Sequence, residues 1–155
     1  MKTVKKLLPL MLVLALTLSA CGKAPAAAPY DPQAVTKAVL DSGAFSVALE
    51  ELDASLLLDF EGNGIDPAAV TGSKAYSASG LTEQVAVLVL SDADTAAATV
   101  EVLKTYLTDL KESYKTYAPA ELPKLDSAIL SQRENTVLFI VAADAAKAQA
   151  AADGK

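Results

Sequence analysis

Glu83-Gln-Val-Ala-Val-Leu-Val-Leu-Ser91 is a continuous apolar run bounded by polar residues, and it decides the fold. A run of this length, rich in β-branched residues, predicts a central strand that is covered on both faces. The next residues, Ser91-Asp92-Ala93-Asp94, have the spacing of a capping box. They predict a long helix from about Asp92 to Tyr117, so strand and helix follow each other directly.

The long helix carries one apolar stripe at steps of three and four residues. Its members are Ala96, Val100, Leu103, Leu107, Leu110, Tyr114 and Tyr117. Pro119 ends the helix, because proline disfavours helical geometry in the residue before it. The stripe predicts that one face of this helix covers the sheet.

Three further strands are predicted around the central run. Residues 127–132 and 136–143 form a hairpin whose second arm is again fully apolar, and residues 71–79 form an edge strand. Residues 45–52 are either a short strand or irregular. Asp31, Asp53 and Asp144 each precede a helix that they can cap.

These elements predict an α+β domain: a four-stranded, largely antiparallel sheet packed on one long helix. Two short N-terminal helices lie beside that helix, and an alanine-rich helix ends the chain. The single domain covers residues 31–155, a normal length for one hydrophobic core.

The N-terminus has the pattern of an export signal. Lys2, Lys5 and Lys6 precede a short apolar run that is too short for a comfortable membrane span. Leu18-Ser19-Ala20-Cys21-Gly22 follows and resembles the lipobox of bacterial lipoproteins. That resemblance implies cleavage of residues 1–20 between Ala20 and Cys21, and lipidation of Cys21. An ordinary signal peptide that ends near a cysteine is the alternative.

Lipidation at Cys21 would place the protein on the cell membrane, facing outside the cytoplasm. The resemblance implies a diacylglyceryl anchor, and two acyl chains are enough for stable anchoring. Residues 21–30, rich in alanine and proline, then form a flexible tether. The membrane is thus the first predicted partner.

Composition restricts the function further. The formal charge of −6 becomes −9 once the three lysines of the signal are removed, which disfavours binding to nucleic acid. The chain has no histidine and only one cysteine, which excludes His-based catalysis, Cys-His nucleophiles and Cys/His zinc sites. No catalytic residue, metal ligand or cofactor is predicted.

Two groups of side chains are candidates for a site. Tyr114, Tyr117, Lys111 and Lys115, near the end of the long helix, form a candidate partner surface, because tyrosine supplies flat contact area. The simpler interpretation is that the tyrosines close the core and the lysines are solvated. The second group is acidic. A calcium site or a carboxylate pair for hydrolysis is one interpretation, and helix capping and solvation explain the group without a site. It comprises Glu50, Glu51, Asp53, Asp59 and Glu61.

A family resemblance rests on residues 112–121, Glu-Ser-Tyr-Lys-Thr-Tyr-Ala-Pro-Ala-Glu, with Lys124-Leu125 and the two apolar strands. They resemble the small lipoproteins of Gram-positive bacteria catalogued as domain of unknown function 4358. Members usually place a glycine in the last hairpin, where this chain has Glu134-Asn135. The resemblance implies the lipoprotein class and a single α+β domain, and it implies no activity.

The leading hypothesis is a non-enzymatic, lipid-anchored domain that binds an envelope protein or a small ligand. One alternative is a carboxylate-based envelope hydrolase, which a cleft lined by two or more of the acidic residues would favour. Another is a ligand-capture subunit of a transporter, which an apolar cavity between sheet and helix would favour. The third alternative is a structural protein, a spacer or an assembly protein, that binds no ligand.

Overall fold

The computed structural model describes residues 27–155, and the predicted signal peptide and Cys21 lie outside them. Six α-helices and five strands are found within this range, with single 3-10 turns at Pro67–Ala69 and Pro119–Glu121. The helices are α1 Pro32–Asp41, α2 Ala54–Leu57, α3 Phe60–Asn63, α4 Ala93–Tyr117, α5 Leu122–Asp126 and α6 Ala145–Ala152. The strands are β1 Glu50–Glu51, β2 Val70–Ser77, β3 Gln84–Leu90, β4 Ile129–Arg133 and β5 Thr136–Val141.

The strands form one antiparallel sheet in the order β1-β2-β3-β5-β4. The mixed α/β class, the antiparallel sheet and the long helix are confirmed. The predicted count of four strands is wrong, because Glu50 and Glu51 pair with Ser77 and Tyr76 and add a fifth strand. Two residues are too few for an alternating pattern to be visible in the sequence.

The sheet is buried on both faces. Val85 and Val87 lie in one core cluster, whereas Ala86 and Leu88 lie in the other. Helix α4, with α2 and α3, covers the Leu88 face, and α1 and α6 cover the Val85 face. We expected both short N-terminal helices beside α4. Only the second of them, which forms α2 and α3, lies beside α4. The apolar side chains of α1 pack in the core on the opposite face of the sheet.

Helix starts follow the predicted capping chemistry at most positions. The carboxylates of Asp31, Asp53 and Asp144 each accept a hydrogen bond from a backbone N–H in the first turn. At α4 the cap is Asp92, whose Oδ1 accepts from Thr95 N at 2.7 Å, rather than Ser91. The capping-box spacing therefore located the helix, and the cap lies one residue later.

The second N-terminal helix, expected after Asp53, is divided into α2 and α3. Asp59 interrupts it with a φ of 42°, and its side chain accepts a hydrogen bond from Gly62 N. Gly64, with a φ of 75°, ends α3 in the left-handed region that glycine adopts without strain. Most of the glycine-containing segment 61–64 is thus helical.

The β4–β5 turn holds Glu134 at a φ of 50°, which costs a residue with a Cβ about 1–2 kcal/mol. Replacing Glu134 with glycine should stabilise the domain by about 0.5 kcal/mol, because the gain slightly exceeds the entropy that glycine loses on folding. Urea unfolding measures this difference, with Glu134→Ala as the control. An unfolding free energy for Glu134→Gly below that of Glu134→Ala would contradict the prediction.

The sheet gives the domain two distinct ends. The hairpin end contains the β4–β5 turn and the first turn of α4, because Leu90 N donates to Asn135 O at 2.8 Å and Gln132 Nε2 donates to Ala93 O at 2.9 Å. The distal end contains the start of β3, the C-terminus of α4 and helix α5. The candidate site lies at the distal end.

Candidate functional site

A cluster of charged and hydroxyl side chains lies where β3 begins. We call it the ion cluster; its members are Ser46, Thr82, Glu83, Glu121 and Lys124. Glu83 is 0% exposed, and the Lys124 side chain is 19% exposed. Two carboxylates therefore share one ammonium group beneath the surface of the distal end.

Lys124 lies between the two carboxylates. Its Nζ donates to Glu83 Oε1 at 2.8 Å and to the two oxygens of Glu121 at 3.0 and 3.2 Å. The Glu121 and Lys124 side chains share a face, because the 3-10 turn runs directly into α5 and places them three residues apart. Glu83 directly precedes β3, so the cluster joins the start of this strand to α5.

Two loops supply the remaining donors. Ser46 donates to Glu83 from its backbone N–H, at 2.7 Å, and from its hydroxyl. Thr82 donates to Glu121 Oε2 from its backbone N–H at 3.1 Å and from its hydroxyl at 2.7 Å. Both carboxylates thus accept several hydrogen bonds, the condition under which a buried charge is tolerated. The cluster holds the loop after α1, the β2–β3 loop and α5 in one arrangement.

The pKa values follow from these contacts. Burial alone would raise the pKa of Glu83, but the hydrogen bonds from Lys124 and Ser46 outweigh it and hold this pKa below its ordinary value of 4.5. Burial is likewise outweighed at Glu121, whose pKa is lowered by Thr82 and Lys124. Burial would lower the pKa of Lys124, but its two carboxylate partners raise it above 10.5. All three groups are therefore charged near neutral pH.

This arrangement predicts a dependence of stability on pH. Glu83 and Glu121 have lower pKa values in the folded state, so their contribution is present above about pH 4.5 and is lost as pH falls further. Lys124 has a raised pKa, so its contribution is complete below 10.5 and is lost at higher pH. We expect the free energy of unfolding to be flat from about pH 6 to 9 and to fall on acidification below about pH 4.5.

Urea unfolding at a series of pH values measures this dependence. A Glu121→Gln variant shows how much of it comes from the Glu121 carboxylate of the ion cluster. Asp92 and Asp144, which cap helices, also have lowered pKa values, because they accept hydrogen bonds from Thr95 and Lys147. The contribution of these two carboxylates to the acid-induced loss of stability remains in the Glu121→Gln variant. An identical acid-induced loss in the variant and the original chain would show that Glu121 contributes nothing.

The predicted partner surface lies at the same end of the molecule. Tyr114 and Tyr117 contact each other edge to face, with ring centroids 5.9 Å apart, and Tyr117 is 77% exposed. Burial raises the pKa of Tyr114, and the nearby carboxylate of Glu121 adds to the shift. The structure therefore places the two tyrosines together and next to the ion cluster. Tyr114 packs against the core, whereas Tyr117 does not.

The two lysines of this surface are already paired. Lys111 Nζ lies 3.1 Å from Asp126 Oδ1 in α5, and Lys115 Nζ lies 2.5 Å from Glu112 Oε1. Lys111 thereby fastens α4 to α5, and its side chain is about one-third exposed. Tyr117 is consequently the member of the surface that is most available to a partner.

The acidic residues near β1 do not form one site. Glu51 and Asp53 line an open groove of about 360 Å³, and Glu50 lines a neighbouring depression, whereas Asp59 and Glu61 line neither. Hydrogen bonds from Lys74 lower the pKa of Glu51, and those from Ser55 lower the pKa of Asp53. A general acid needs a raised pKa, so these two carboxylates are poorly suited to hydrolysis.

A small pocket of about 160 Å³ lies between the sheet and the first turns of α4. Its lining includes Ile65, Leu90 and Val102. Typical ligand pockets measure about 300–1,000 Å³, so this one is too small for most metabolites. Within residues 27–155 we found no group of three metal-binding side chains, and no helix there is long and apolar enough to span a membrane.

The described residues thus define a three-layer α/β/α domain whose sheet ends in a buried ion cluster. The sequence pattern of the family described as domain of unknown function (DUF4358) matches residues 41–142, about two thirds of the chain, which therefore belongs to this family. The match contains the whole ion cluster and the tyrosine surface. No curated protein and no solved structure matches the chain.

The ion cluster was not predicted from the sequence. Its buried carboxylate, on Glu83, and its ammonium group, on Lys124, lie 41 residues apart along the chain, and only Glu121 is close to Lys124 in the sequence. One signal was present: Glu83 directly precedes a strand that is buried on both faces, so its carboxylate has no solvent side to turn to. Such a residue needs a charged partner, but the sequence does not show which lysine supplies it.

Proposed function

We propose that this chain is a lipid-anchored extracytoplasmic lipoprotein whose domain is a non-enzymatic binding module. The observation that carries the binding role is the Tyr117 ring, which is 77% exposed and lies against Tyr114 at the end of a well-packed helix. Exposed tyrosine is enriched at protein interfaces, because it buries a large area at a small cost in side-chain entropy. The ion cluster gives this surface a rigid base.

The anchor is proposed from the N-terminal pattern that ends at Cys21. The domain itself offers little attraction for a membrane: residues 27–155 contain 19 acidic and nine basic residues, and anionic headgroups repel such a charge. Membrane attachment would therefore depend on the lipid at Cys21. Attachment through lipid leaves the surface of the domain available for a partner.

The partner surface is tested by replacing Tyr117 with alanine. We expect about a tenfold loss of crosslinking to the partner in intact cells, the size of effect usual for an aromatic interface residue. Stability should change by less than about 0.5 kcal/mol, because the side chain is exposed. Crosslinking from a photoreactive residue at position 116, followed by mass spectrometry, measures the first effect, and urea unfolding measures the second.

Leu56→Ala is the matched control, since Leu56 is 72% exposed and lies in α2, not on the helix that carries Tyr114 and Tyr117. It should leave the crosslinking unchanged. Equal crosslinking in the Tyr117 variant and the original chain would refute this surface as the binding site.

The carboxylate-hydrolase alternative meets one condition, because Glu51 and Asp53 line the same groove. Their lowered pKa values count against it, because a general acid needs a raised pKa. The ligand-capture alternative requires an apolar cavity between the sheet and a helix, and the small pocket under α4 is the one described above. Neither is favoured over the binding module.

A further inference from the structure

Tyr30 fixes the point at which the chain enters the folded domain. It is 2% exposed, its N–H donates to Thr136 Oγ1 at 2.9 Å, and its hydroxyl donates to Ser131 Oγ at 2.9 Å. The Arg133 guanidinium lies over its ring at 4.2 Å and is itself held by Asp153 at 2.6 Å. Tyr30, the last residue of the predicted tether, is therefore bound to the β4–β5 hairpin, 106 residues further along the chain.

The entry point lies at the hairpin end, and the tyrosine surface lies at the other. Helix α4 begins against the hairpin, where Gln132 Nε2 contacts Ala93 O, and it ends at Tyr117. Its 25 residues span about 37 Å at 1.5 Å per residue. Tyr117 is thus separated from the hairpin end by the whole length of the helix.

The tether is shorter than that distance. Nine residue steps separate Cys21 from Tyr30, and a fully extended chain covers about 30 Å over this length. A domain with Tyr117 against the bilayer and its hairpin end pointing away would need a connection of about 37 Å. If Cys21 is the anchor, this inverted orientation is out of reach.

Charge argues against the remaining orientation, in which the domain lies on its side. Residues 27–155 carry a strong acidic excess, and the described basic side chain nearest the entry point, Arg133, is already paired with Asp153. Asp31, Asp94 and Glu134 add exposed negative charge at the hairpin end. Repulsion from anionic headgroups should hold the domain off the surface by as much as the tether permits.

We propose that the hairpin end faces the bilayer and that the tyrosine surface projects away from it, more than one helix length above the anchor. The partner of Tyr117 is then an envelope protein that lies beyond the headgroups, not the lipid surface. This inference rests on the proposed lipid anchor and adds to it the direction in which the domain points.

Single labels along α4 test the orientation in the full chain. Asp94, Lys104 and Thr116 are exposed positions in the first, middle and last turns of the helix. A cysteine introduced at each can be labelled alone if the sulfur of Cys21 is blocked by lipid. The lipidated variants are purified from membranes and placed in vesicles of phosphatidylglycerol and phosphatidylcholine that carry a headgroup energy acceptor.

We expect energy transfer to decrease in the order Asp94→Cys, Lys104→Cys, Thr116→Cys. Transfer from the first should exceed transfer from the last by at least about twofold, because about 33 Å of helix separates them. Equal transfer from all three would show that the domain lies on its side, and a reversed order would show that Tyr117 faces lipid. Either result would refute the proposed orientation and leave the proposed lipid anchor standing. Failure of the original chain to float with the vesicles would instead overturn the anchor, and the inference with it.

Discussion

Replacing Lys124 with methionine should lower the free energy of unfolding by about 3 kcal/mol, the lower end of the range for breaking a buried ion pair. The loss is large because Glu83, which is fully covered, would keep its charge without a cationic partner, and Glu121 would lose the same partner. Methionine keeps most of the side-chain volume, so the change reports on charge more than on packing. Urea unfolding followed by circular dichroism measures it.

Lys104→Met provides the control, because Lys104 pairs with Glu101 on the exposed face of α4. An exposed pair three residues apart contributes less than about 0.5 kcal/mol. Equal effects of the two substitutions would refute the energetic role of the ion cluster. Adding Glu83→Gln to Lys124→Met should recover part of the loss, because the uncompensated charge is then absent.

The pH dependence of the Lys124→Met variant provides a second readout. Without the ammonium group, the pKa of Glu83 should rise from its value in the original chain, because burial is then opposed only by the hydrogen bonds from Ser46. The folded variant would bind the proton more tightly than the folded original chain, so the variant loses less stability as pH falls. The difference in unfolding free energy between the two chains should therefore narrow on acidification. A constant difference would show that Glu83 is not the group left unpaired.

Replacing Cys21 with alanine should abolish stable attachment to the membrane, because the sulfur that carries the proposed lipid is lost. Without both acyl chains the remaining interactions are too weak for stable anchoring. The mutant protein is expected either in the soluble fraction or, if cleavage also fails, in membranes with residues 1–20 still attached. Fractionation and the mass of the N-terminal peptide distinguish these two outcomes.

Lys23→Ala is the control for Cys21→Ala, since it lies outside the lipobox and should leave anchoring unchanged. Retention in membranes of a Cys21→Ala chain that has been cleaved before residue 21 would contradict the lipoprotein proposal. The domain would then need another means of attachment, and its acidic surface supplies none by charge.

The elements that could be predicted are those whose signals are local. The apolar run before Ser91 placed β3 in the centre of the sheet, and the aspartates at positions 31, 53 and 144 marked helix starts. Each depends on side chains within a few residues of one another. The break at Asp59 and the strained turn at Glu134 were not predicted, because their left-handed backbone is imposed by the surrounding structure.

The candidate site was predictable only in part. Tyr114 and Tyr117 were expected on one side of α4, and they do lie together, because residues three apart face the same way on a helix. Helical spacing could not show that Tyr117 extends beyond the core. That depends on where the sheet ends beneath α4.

The sequence by itself determined the family, the central strands and the long helix, since apolar periodicity and capping act over short distances along the chain. Only the tertiary structure decided that α1 and α4 cover opposite faces, that Lys124 neutralises Glu83, and that Tyr30 ties the chain to the hairpin end. These three depend on contacts between residues 40 to more than 100 positions apart. Many different contacts between residues so far apart are compatible with the same sequence pattern, and close packing of the side chains selects among them.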